Sequence, residues 1–424
     1  MIESLRIRHF KAFEEFSVEN LGAINLITGR NNVGKTSLLE AIWAFIDRAY
    51  LSTLSQISVS RGMQSSWSQF VPTQPIIVEV HWAPHFANFD LSRPIEISVQ
   101  RNWENVPLTR WQRTVRSLRA SGGQVGTEGT AGENATRRFW ETLKISFSPT
   151  AQSQGIPLTA QSQEIPLQDP HISEMPSQLN IPTHQSLIAQ SPAIGSLVLT
   201  YRSEGVKLGQ DYLKERMKVV LLGNTVQLEG NLSTDTWSVA PVPSRGYEDL
   251  VRQAQRFGAI DIENGVERLV EYLRVMEPRL KRLMLIPVRG ISQIHGEIEG
   301  PGALPIRCMG DGVDRLISIL LCLMTPPTVV LVDEIGSGIH HSALPRMWKL
   351  LAEVVRETGC QLFGTTHSYE CIQAAIQGLE GNKKDQELFR YIRLERPKEG
   401  SEIKPVVLNY NDAASAVESN LEIR

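Results

Sequence analysis

The sequence predicts an α/β fold built on a mixed β-sheet, and three segments support this prediction. Residues 23–28 have a short apolar strand pattern, a glycine-rich loop follows, and residues 37–46 have the apolar spacing of a helix. Residues 328–332 and 361–365 are two further short apolar runs that end in polar residues, which is typical of buried parallel strands. The first hundred residues add further strand patterns, including the alternating start of the chain and residues 95–100, so the N-terminal lobe is predicted to be β-rich.

The loop between the first strand and helix, residues 29–37, is named here the phosphate loop because it matches the pattern G-x-x-x-x-G-K-[ST]. Glycines let backbone amides curl around phosphates, and the positive end of the following helix faces their charge. In this pattern Lys35 reaches the outer phosphates and the Thr36 hydroxyl takes a Mg²⁺ position. An ordinary glycine-rich turn is the alternative, but the flanking strand and helix favour a nucleoside triphosphate site. The predicted binding residues are Gly29, Arg30, Asn31, Asn32, Val33, Gly34, Lys35, Thr36 and Ser37.

A second candidate segment is the acidic pair Asp333 and Glu334, which follows the apolar run 329–332. In an α/β sheet this order places both carboxylates at the carboxyl end of a strand, beside the phosphate loop. Asp333 is predicted to support Mg²⁺, and Glu334 to polarise the water that attacks the γ-phosphate. A strand that ends in two acids by chance is the alternative, and the phosphate loop argues against it.

Two weaker features follow the same logic. His367 comes directly after the apolar run 361–365, where it could sense a γ-phosphate, although a structural histidine is the alternative. The turn Gly310, Asp311 and Gly312 opens an apolar helix, and amides at such a helix start can receive phosphate. A plain helix start capped by Asp311 explains this turn equally well.

Composition limits the remaining function classes. The 424 residues carry a formal net charge of -3, so contact with nucleic acid or an anionic membrane would need a local patch. The four cysteines show no C-x-x-C pair, so neither a zinc site nor a disulfide framework is predicted. The longest apolar run, 316–324, is too short to span a bilayer, and the chain start lacks a signal-peptide pattern, so we expect a cytoplasmic protein.

The middle of the chain changes character and suggests three parts: residues 1–105, an insertion at 106–245, and residues 246–424. A strand is predicted at 75–82 and a glycine-rich loop at 121–132. A Gln-, Ser- and Pro-rich loop at 149–192 contains a near-duplicate pair of nine-residue segments, 150–158 and 159–167, which we interpret as a duplication in a tolerant loop. Residues 247–285, including Leu280, have helical apolar spacing without coiled-coil heptads.

Basic and histidine clusters leave further options open. Arg110, Arg113, Arg116 and Arg119 recur at every third residue near Trp103 and Trp111, and Arg279, Lys281 and Arg282 form a second cluster. Such stripes can bind nucleic acid, and a solvated helix face is the alternative, so DNA contact stays open. His340 and His341 lie close to Glu334 in sequence, but no further ligand spacing follows that would predict a metal site.

Together these segments resemble the ABC-type ATPase heads of the SMC, RecF and OLD (overcoming lysogenization defect) group. The resemblance rests on residues 5–13 as the opening strand, 23–40 as the phosphate-loop block, 333–340 as Walker B and D-loop, and 366–368 around the switch histidine. It covers roughly 1–50 and 305–424, and the middle poorly. The turn at 310–312 occupies the signature position but lacks the usual Ser-Gly-Gly.

The resemblance implies a P-loop ATPase of ABC type with a helical insertion, using ATP and Mg²⁺ and working as a homodimer or dimer-based oligomer around ATP. Glu334 and His367 would be catalytic, Thr36 and Asp333 would hold the metal, and Gly310, Asp311 and Gly312 would contact the partner's nucleotide. The segment after His367 is too short for the Toprim nuclease domain of OLD proteins, so we expect a separately encoded effector, such as a nuclease, as in bacterial anti-phage defence. A RecF-like or SMC-like DNA-repair ATPase is the first alternative. A transporter's nucleotide-binding subunit is the second, and the absence of Ser-Gly-Gly at 309–312 argues against it.

A GTPase is a further alternative, because 333–336 fits D-x-x-G and 382–385 fits N-K-x-D. GTPases place D-x-x-G shortly after the phosphate loop, whereas most of this chain lies between the two. The segment 382–385 also follows a helical pattern rather than an apolar strand, so we interpret it as a charged surface loop.

Overall fold

The computed structural model describes residues 1–48, 85–102, 138–149, 193–204, 214–222, 225–231, 238–244, 250–299, 302–325, 329–398 and 401–419. The strand predicted at 75–82, the loops at 121–132 and 149–192, and the arginine stripe at 110–119 with its tryptophans lie outside these described residues, apart from Pro149 at the end of a strand.

A six-stranded sheet forms the centre of the site-bearing half. Its strands are β3 (Ile24–Gly29), β9 (Val239–Val242), β13 (Val329–Val332), β14 (Gln361–Thr365), β15 (Phe389–Glu395) and β16 (Lys404–Asn409). They lie in the order β16-β15-β3-β14-β13-β9, in which only β16 pairs antiparallel. Since β3, β13 and β14 are parallel neighbours, their carboxyl ends meet at one edge of the sheet.

A seven-stranded antiparallel sheet forms the β-rich lobe. Its strands are β1 (Ile2–Phe10), β2 (Phe13–Val18), β4 (Ile95–Asn102), β5 (Arg138–Pro149), β6 (Ala193–Glu204), β7 (Lys214–Leu222) and β8 (Thr225–Asn231). The order is β2-β1-β4-β5-β6-β7-β8. The described strands of the predicted insertion therefore continue the N-terminal sheet, apart from β9, which joins the six-stranded sheet; the three proposed domain boundaries stay a prediction.

The helices cover both faces of the six-stranded sheet. They are α1 (Lys35–Ile46), α2 (Leu250–Ile262), α3 (Val266–Leu273), α4 (Asp311–Met324), α5 (Leu344–Thr358), α6 (Tyr369–Leu379), α7 (Lys383–Leu388) and α8 (Tyr410–Glu418). A small sheet of β10 (Leu280–Val288), β11 (Ile291–Ile298) and β12 (Gly302–Pro305) precedes α4.

Alternation along the central strands produces two cores. In β3, Leu26 joins the cluster that contains α4, α5 and α6, whereas its neighbour Ile27 joins the cluster that contains α1 and the seven-stranded sheet. Ile42 and Phe45 of α1 lie in this second cluster, so the helix is buried between the two sheets. Successive side chains of a strand point to opposite faces, which is why one short strand serves both cores.

The helical prediction for 247–285 is wrong at its C-terminal end. The helices end at Leu273, and Leu280 begins strand β10. Pro278 lies between them, and a proline disfavours helical backbone at the residue before it and lacks the amide that a helix interior requires. Leu280 pairs with Ile298 in the small sheet and its side chain is buried in the core, so its apolar character reflects burial in a strand rather than in a helix.

Candidate nucleotide-binding site

The phosphate loop follows β3, all six residues of which are buried. The loop turns at Gly29 and Gly34, where φ is 135° and 104°, a region that favours glycine. A Cβ atom at Gly29 would lie 2.5 Å from the carbonyl oxygen of Leu394, so a larger residue does not fit there. Helix α1 begins directly after Gly34, which leaves its first amides facing the loop.

Lys35 is the most buried charged residue of the phosphate loop. Its side chain donates hydrogen bonds from Nζ to the carbonyl oxygens of Gly29, at 2.8 Å, and Arg30, at 3.1 Å. Burial lowers the pKa of Lys35, while the nearby carboxylates of Asp333 and Glu334 act in the opposite direction. The ammonium group therefore contacts the loop carbonyls and is influenced by the charge of the acidic pair.

Other predicted loop residues differ in exposure. The side chains of Arg30, Asn31 and Asn32 are exposed, whereas Val33 and Ser37 are buried. Asn32 has a φ of 63°, which asparagine tolerates better than most residues. The exposed part of the loop is thus its outer rim.

Asp333 joins the phosphate loop to the neighbouring strands. Thr36 donates from Oγ1 to Asp333 Oδ1 over 3.1 Å, and Thr365, at the end of β14, donates to the same oxygen over 2.6 Å. The structure thus brings together the phosphate loop and the acidic pair, as the parallel order of β3, β14 and β13 requires. Two hydroxyl donors hold this carboxylate at the mouth of the loop.

Glu334 turns sharply out of the strand. Its φ is 52°, a left-handed conformation that is uncommon for a residue other than glycine. Its backbone N–H donates to Thr365 Oγ1 over 2.9 Å, and its Oε2 lies 2.8 Å from Nδ1 of His367. The predicted base and the predicted switch histidine are therefore in direct contact.

Arg315 also reaches this site, and the sequence reasoning missed it. It lies on α4 and donates to the main-chain oxygens of Pro243, Asp333 and Glu334. The signal for it was weak, because a single arginine in an apolar helix shows no spacing that points to a ligand. Its distance from the acidic pair in sequence hides the contact.

The turn at 310–312 lies beside the segment that follows the acidic pair. Gly310 has a φ of 113° and caps α4, and a Cβ atom on Gly312 would lie 3.1 Å from the carbonyl oxygen of Gly338. Asp311 is therefore the first helical residue rather than the cap. His340 and His341 stack with ring centroids 4.2 Å apart, and the described residues contain no group of three or more His, Cys, Asp or Glu that could hold a metal ion.

The segment 382–385 is a helix start, so its interpretation as a surface loop is wrong. Asn382 caps α7 by accepting from the amides of Lys384 and Asp385. Asp385 is buried and forms an ion pair with Arg356. These contacts occupy the groups that a guanine-binding motif would use.

The second basic cluster is neutralised by neighbouring acids. Arg279, Lys281 and Arg282 pair with Glu277, Glu299 and Glu297 respectively. This arrangement favours a solvated surface over a phosphate-binding patch. Within the described residues, no helix is long and apolar enough to cross a membrane.

Two family models match the chain. One, described as "AAA ATPase domain", matches residues 1–164, and the other, described as "AAA domain, putative AbiEii toxin, Type IV TA system", matches residues 172–372. Each of these matches is to an AAA ATPase family and covers less than half of the chain. The predicted fold class, an α/β P-loop ATPase with mixed sheets, is confirmed. The predicted enzyme class, an ATPase, is also confirmed.

Three curated proteins are similar to this chain, one over most of its length and two over short segments. An ATP/GTP phosphatase of Helicobacter pylori is 20% identical over 389 residues, which cover 89% of this chain and 88% of that protein. The uncharacterized protein MJECL10 of Methanocaldococcus jannaschii is 39% identical over 67 residues, 15% of this chain and 31% of that protein. The DNA replication and repair protein RecF of Idiomarina loihiensis is 52% identical over 42 residues, 10% of this chain and 12% of RecF. The chain therefore spans less than a third of the last two relatives.

Two solved SMC heads align with most of this chain at low sequence identity. The SMC head bound to the C-terminal winged-helix domain of ScpA aligns with a TM-score of 0.48 and 14% identity, covering 98% of this chain and 99% of that chain. The SMC head of Thermotoga maritima aligns with a TM-score of 0.35 and 11% identity, covering 96% and 99%.

Proposed function

We propose that this ATPase domain hydrolyses MgATP at the site formed by the phosphate loop, the acidic pair and His367. The observation that carries the proposal is the contact of Thr36 with Asp333, because it joins the phosphate-binding half of the site to its acidic half. Lys35 would exchange its loop carbonyls for the outer phosphates, which attract a cation more strongly. The first amides of α1 would receive the remaining phosphate charge.

The residues present fit a magnesium ion. Thr36 and Asp333 offer hard oxygen ligands whose atoms already lie 3.1 Å apart, and Mg²⁺ is commonly held by one or two protein oxygens together with substrate phosphates. These two residues would hold the ion, which when bound neutralises charge on the β- and γ-phosphates.

In this proposal Glu334 is the general base. Its carboxylate would accept the proton of the attacking water, and His367 would orient that carboxylate through the contact between Nδ1 and Oε2. Thr365 holds the backbone amide of Glu334 and the side chain of Asp333, so it fixes both acids from one position. The proposal thus gives different tasks to two adjacent carboxylates.

Phosphate release by the Glu334→Gln variant tests the proposal. The amide keeps the size of the side chain but accepts a proton poorly, so we expect turnover to fall about 100-fold or more while ATP binding persists. Glu402→Gln, an exposed change elsewhere, is the matched control and should leave turnover unaltered. Equal turnover in the two variants would contradict the assignment of the base.

We further propose that two copies dimerise around ATP. The support is the position of the turn at 310–312, which packs against Gly338 so that the two segments form one surface beside the acidic pair. A partner's nucleotide would lie against this surface, and hydrolysis would loosen the pair. Mass measurement of the Glu334→Gln variant with and without ATP should show two chains only with ATP; a single-chain mass in both conditions excludes the dimer.

The biological role we propose is gating of a separately encoded effector, such as a nuclease, in the cytoplasm of a bacterium that defends itself against phage. One family description names a toxin of a type IV toxin–antitoxin system, which supports a role in conflict or defence. Co-purification with products of neighbouring genes, followed by phage challenge with and without Glu334→Gln, tests this role. If no effector co-purifies and the variant protects as well as the native chain, the role is wrong.

A DNA-repair ATPase is the second candidate, because a short segment of RecF is 52% identical to this chain. Such a protein would bind DNA ends or gaps in a manner that depends on ATP and salt. Fluorescence anisotropy with duplex, gapped and single-stranded DNA, at two salt concentrations, separates this candidate from effector gating.

A further inference from the structure

Arg315 makes an unusual set of contacts at the end of β13. It donates from Nη1 to the carbonyl oxygen of Pro243 over 2.6 Å, and from Nη2 to the carbonyl oxygens of Asp333 and, over 3.2 Å, of Glu334. These acceptors are main-chain oxygens, so the guanidinium fixes backbone at the point where the strand ends. Its planar fork can reach acceptors on both sides, which a lysine ammonium cannot do in the same way.

Glu334 needs such support because regular strand pairing stops before it. The last backbone contact of β13 towards β9 is the bond from Asp333 N–H to the carbonyl oxygen of Val242, at 3.0 Å. Glu334 then adopts its left-handed φ of 52°, which costs free energy for a residue with a Cβ atom. Thr365 holds the N–H of Glu334, and Arg315 holds its carbonyl oxygen, so both peptide groups of this residue are fixed.

The position of the Arg315 guanidinium is costly for folding, which argues for a role beyond stability. Arg315 is partly buried, and among the described residues its Nε atom has no hydrogen-bond partner. Burial lowers the pKa of Arg315, while the carboxylates of Asp333 and Glu334 raise it. An apolar side chain of similar volume is often more stable in such a position than a partly buried cation whose partners are carbonyl oxygens.

Arg315 also connects the proposed dimer surface to the acidic pair. It lies one helical turn after Asp311, where α4 begins, and the turn at 310–312 packs against Gly338. A displacement of the start of α4 would therefore be transmitted by a rigid helical turn to the main chain of Glu334.

We propose that Arg315 is a positioning residue that holds the main chain of Glu334 in the conformation needed for hydrolysis and links that conformation to the turn at 310–312. The proposal rests on the proposed function, since it presumes that Glu334 is the base. The hydrogen bonds of Arg315 to Pro243, Asp333 and Glu334 do not involve the phosphate loop, so nucleotide binding should not depend on Arg315.

Steady-state hydrolysis and ATP binding of Arg315→Met and Arg315→Lys test the proposal. We expect kcat of Arg315→Met to fall about 100-fold, as for a reacting group displaced by about 1 Å, while the Kd for ATP stays within about threefold. Arg315→Lys keeps the charge and should recover part of the loss. Arg256→Met is the matched control, because Arg256 also contacts α4, at Cys322 Sγ over 2.8 Å, about two helical turns after Arg315.

A double-mutant cycle with Glu334→Gln distinguishes positioning from general support of the fold. If Arg315 acts through Glu334, adding Arg315→Met to Glu334→Gln should change the residual rate by less than about twofold. Additive losses, or full turnover in Arg315→Met, overturn the proposal. Should Arg315→Met fail to fold, Arg315→Lys decides: reduced kcat with ATP binding intact supports the role, and full turnover refutes it.

The same experiment separates two kinds of failure. If Glu334→Gln itself retains full turnover, the proposed function is wrong and the role of Arg315 falls with it. If Glu334→Gln loses turnover but Arg315→Met does not, only the inference about Arg315 is wrong.

Discussion

Thr36 Oγ1 donates a hydrogen bond to Asp333 Oδ1 over 3.1 Å, although 297 positions separate the two residues in the chain. The bond links the first turn of α1, which follows β3, to the residue after β13, and β3 and β13 lie on either side of β14 in the sheet order. It closes the site on the side where a metal ion would bind, and it is the contact that makes one site out of two distant motifs.

Removal of the proposed metal ligand should weaken hydrolysis strongly. Asp333→Asn retains the shape of the side chain but loses its charge, so we expect turnover to fall about 100-fold or more at ordinary Mg²⁺ concentrations. Chelation of divalent ions should abolish turnover in the native chain. Phosphate release across a Mg²⁺ titration measures both effects, with the exposed change Asp412→Asn as control; an unaltered Mg²⁺ dependence in Asp333→Asn argues against the metal site.

Two helical glycines should respond to alanine in opposite directions. A Cβ atom on Gly378 of α6 would lie 2.4 Å from the carbonyl oxygen of Pro345 and 2.9 Å from Cβ of Trp348, so α6 and α5 would have to separate. We expect Gly378→Ala to lower the free energy of unfolding by about 1–3 kcal/mol. Gly258 of α2 has no atom within 4 Å of such a Cβ.

At Gly258 of α2 there is room for a Cβ atom, and alanine favours a helix more than glycine does. Gly258→Ala should therefore raise the free energy of unfolding by about 0.5–1 kcal/mol. Urea unfolding of both variants, followed by circular dichroism, measures the difference. Unchanged stability in Gly378→Ala would contradict the close packing of α5 and α6, and a loss of stability in Gly258→Ala would contradict the open surroundings of Gly258 on α2.

The segment 382–385 should not determine nucleotide choice. Asp385 is buried and paired with Arg356, so Asp385→Asn should lower the free energy of unfolding by about 1–3 kcal/mol. Because this carboxylate is engaged within the fold, the ratio of ATP to GTP turnover should equal that of the native chain. Competition between the two nucleotides measures the ratio, and a selective loss of GTP turnover would revive the GTPase alternative.

Cysteine reactivity should separate one thiol from the others. Cys308 is exposed, whereas Cys322, Cys360 and Cys371 are buried. Burial raises the pKa of Cys360 and Cys371 to about 11, so both thiols stay protonated and unreactive near about pH 8. They would gain reactivity only as the pH approaches their pKa.

A disulfide reagent applied at about pH 8 should therefore modify one thiol per native chain and four per unfolded chain. The count follows from the absorbance of the released thiolate. Cys308→Ser is the control and should remove the rapid reaction; a rapid reaction that survives in this variant would place another thiol at the surface.

Much of the central sheet could be predicted from local pattern. The strand before the phosphate loop, α1 after it and the runs before Asp333 and His367 lie where their apolar patterns indicate, because each is buried in one or two cores. The prediction failed at the boundaries of elements, where the local apolar pattern does not show which element a residue joins. Leu280 fitted a helix but begins β10, and Asn382 fitted a loop but caps α7.

Contacts that depend on the meeting of distant elements were beyond prediction from one sequence. Arg315 shows no motif, and its role appears only when α4 is packed beside the ends of β9 and β13. The left-handed backbone of Glu334 is likewise invisible in sequence, since it is held by an acceptor on β14, Thr365 Oγ1, and a donor on α4, Arg315.

The amino-acid sequence alone determined the chemistry that is available: a glycine loop with a lysine and a threonine, an acidic pair after a strand, and a histidine after the next. Those choices are local, because glycine, charge and hydrophobic period act over a few residues. Only the tertiary structure decided which groups meet, since the parallel order β3-β14-β13 brings the three strand ends to one edge. It also decided which side chain, Arg315, holds the acidic end in place.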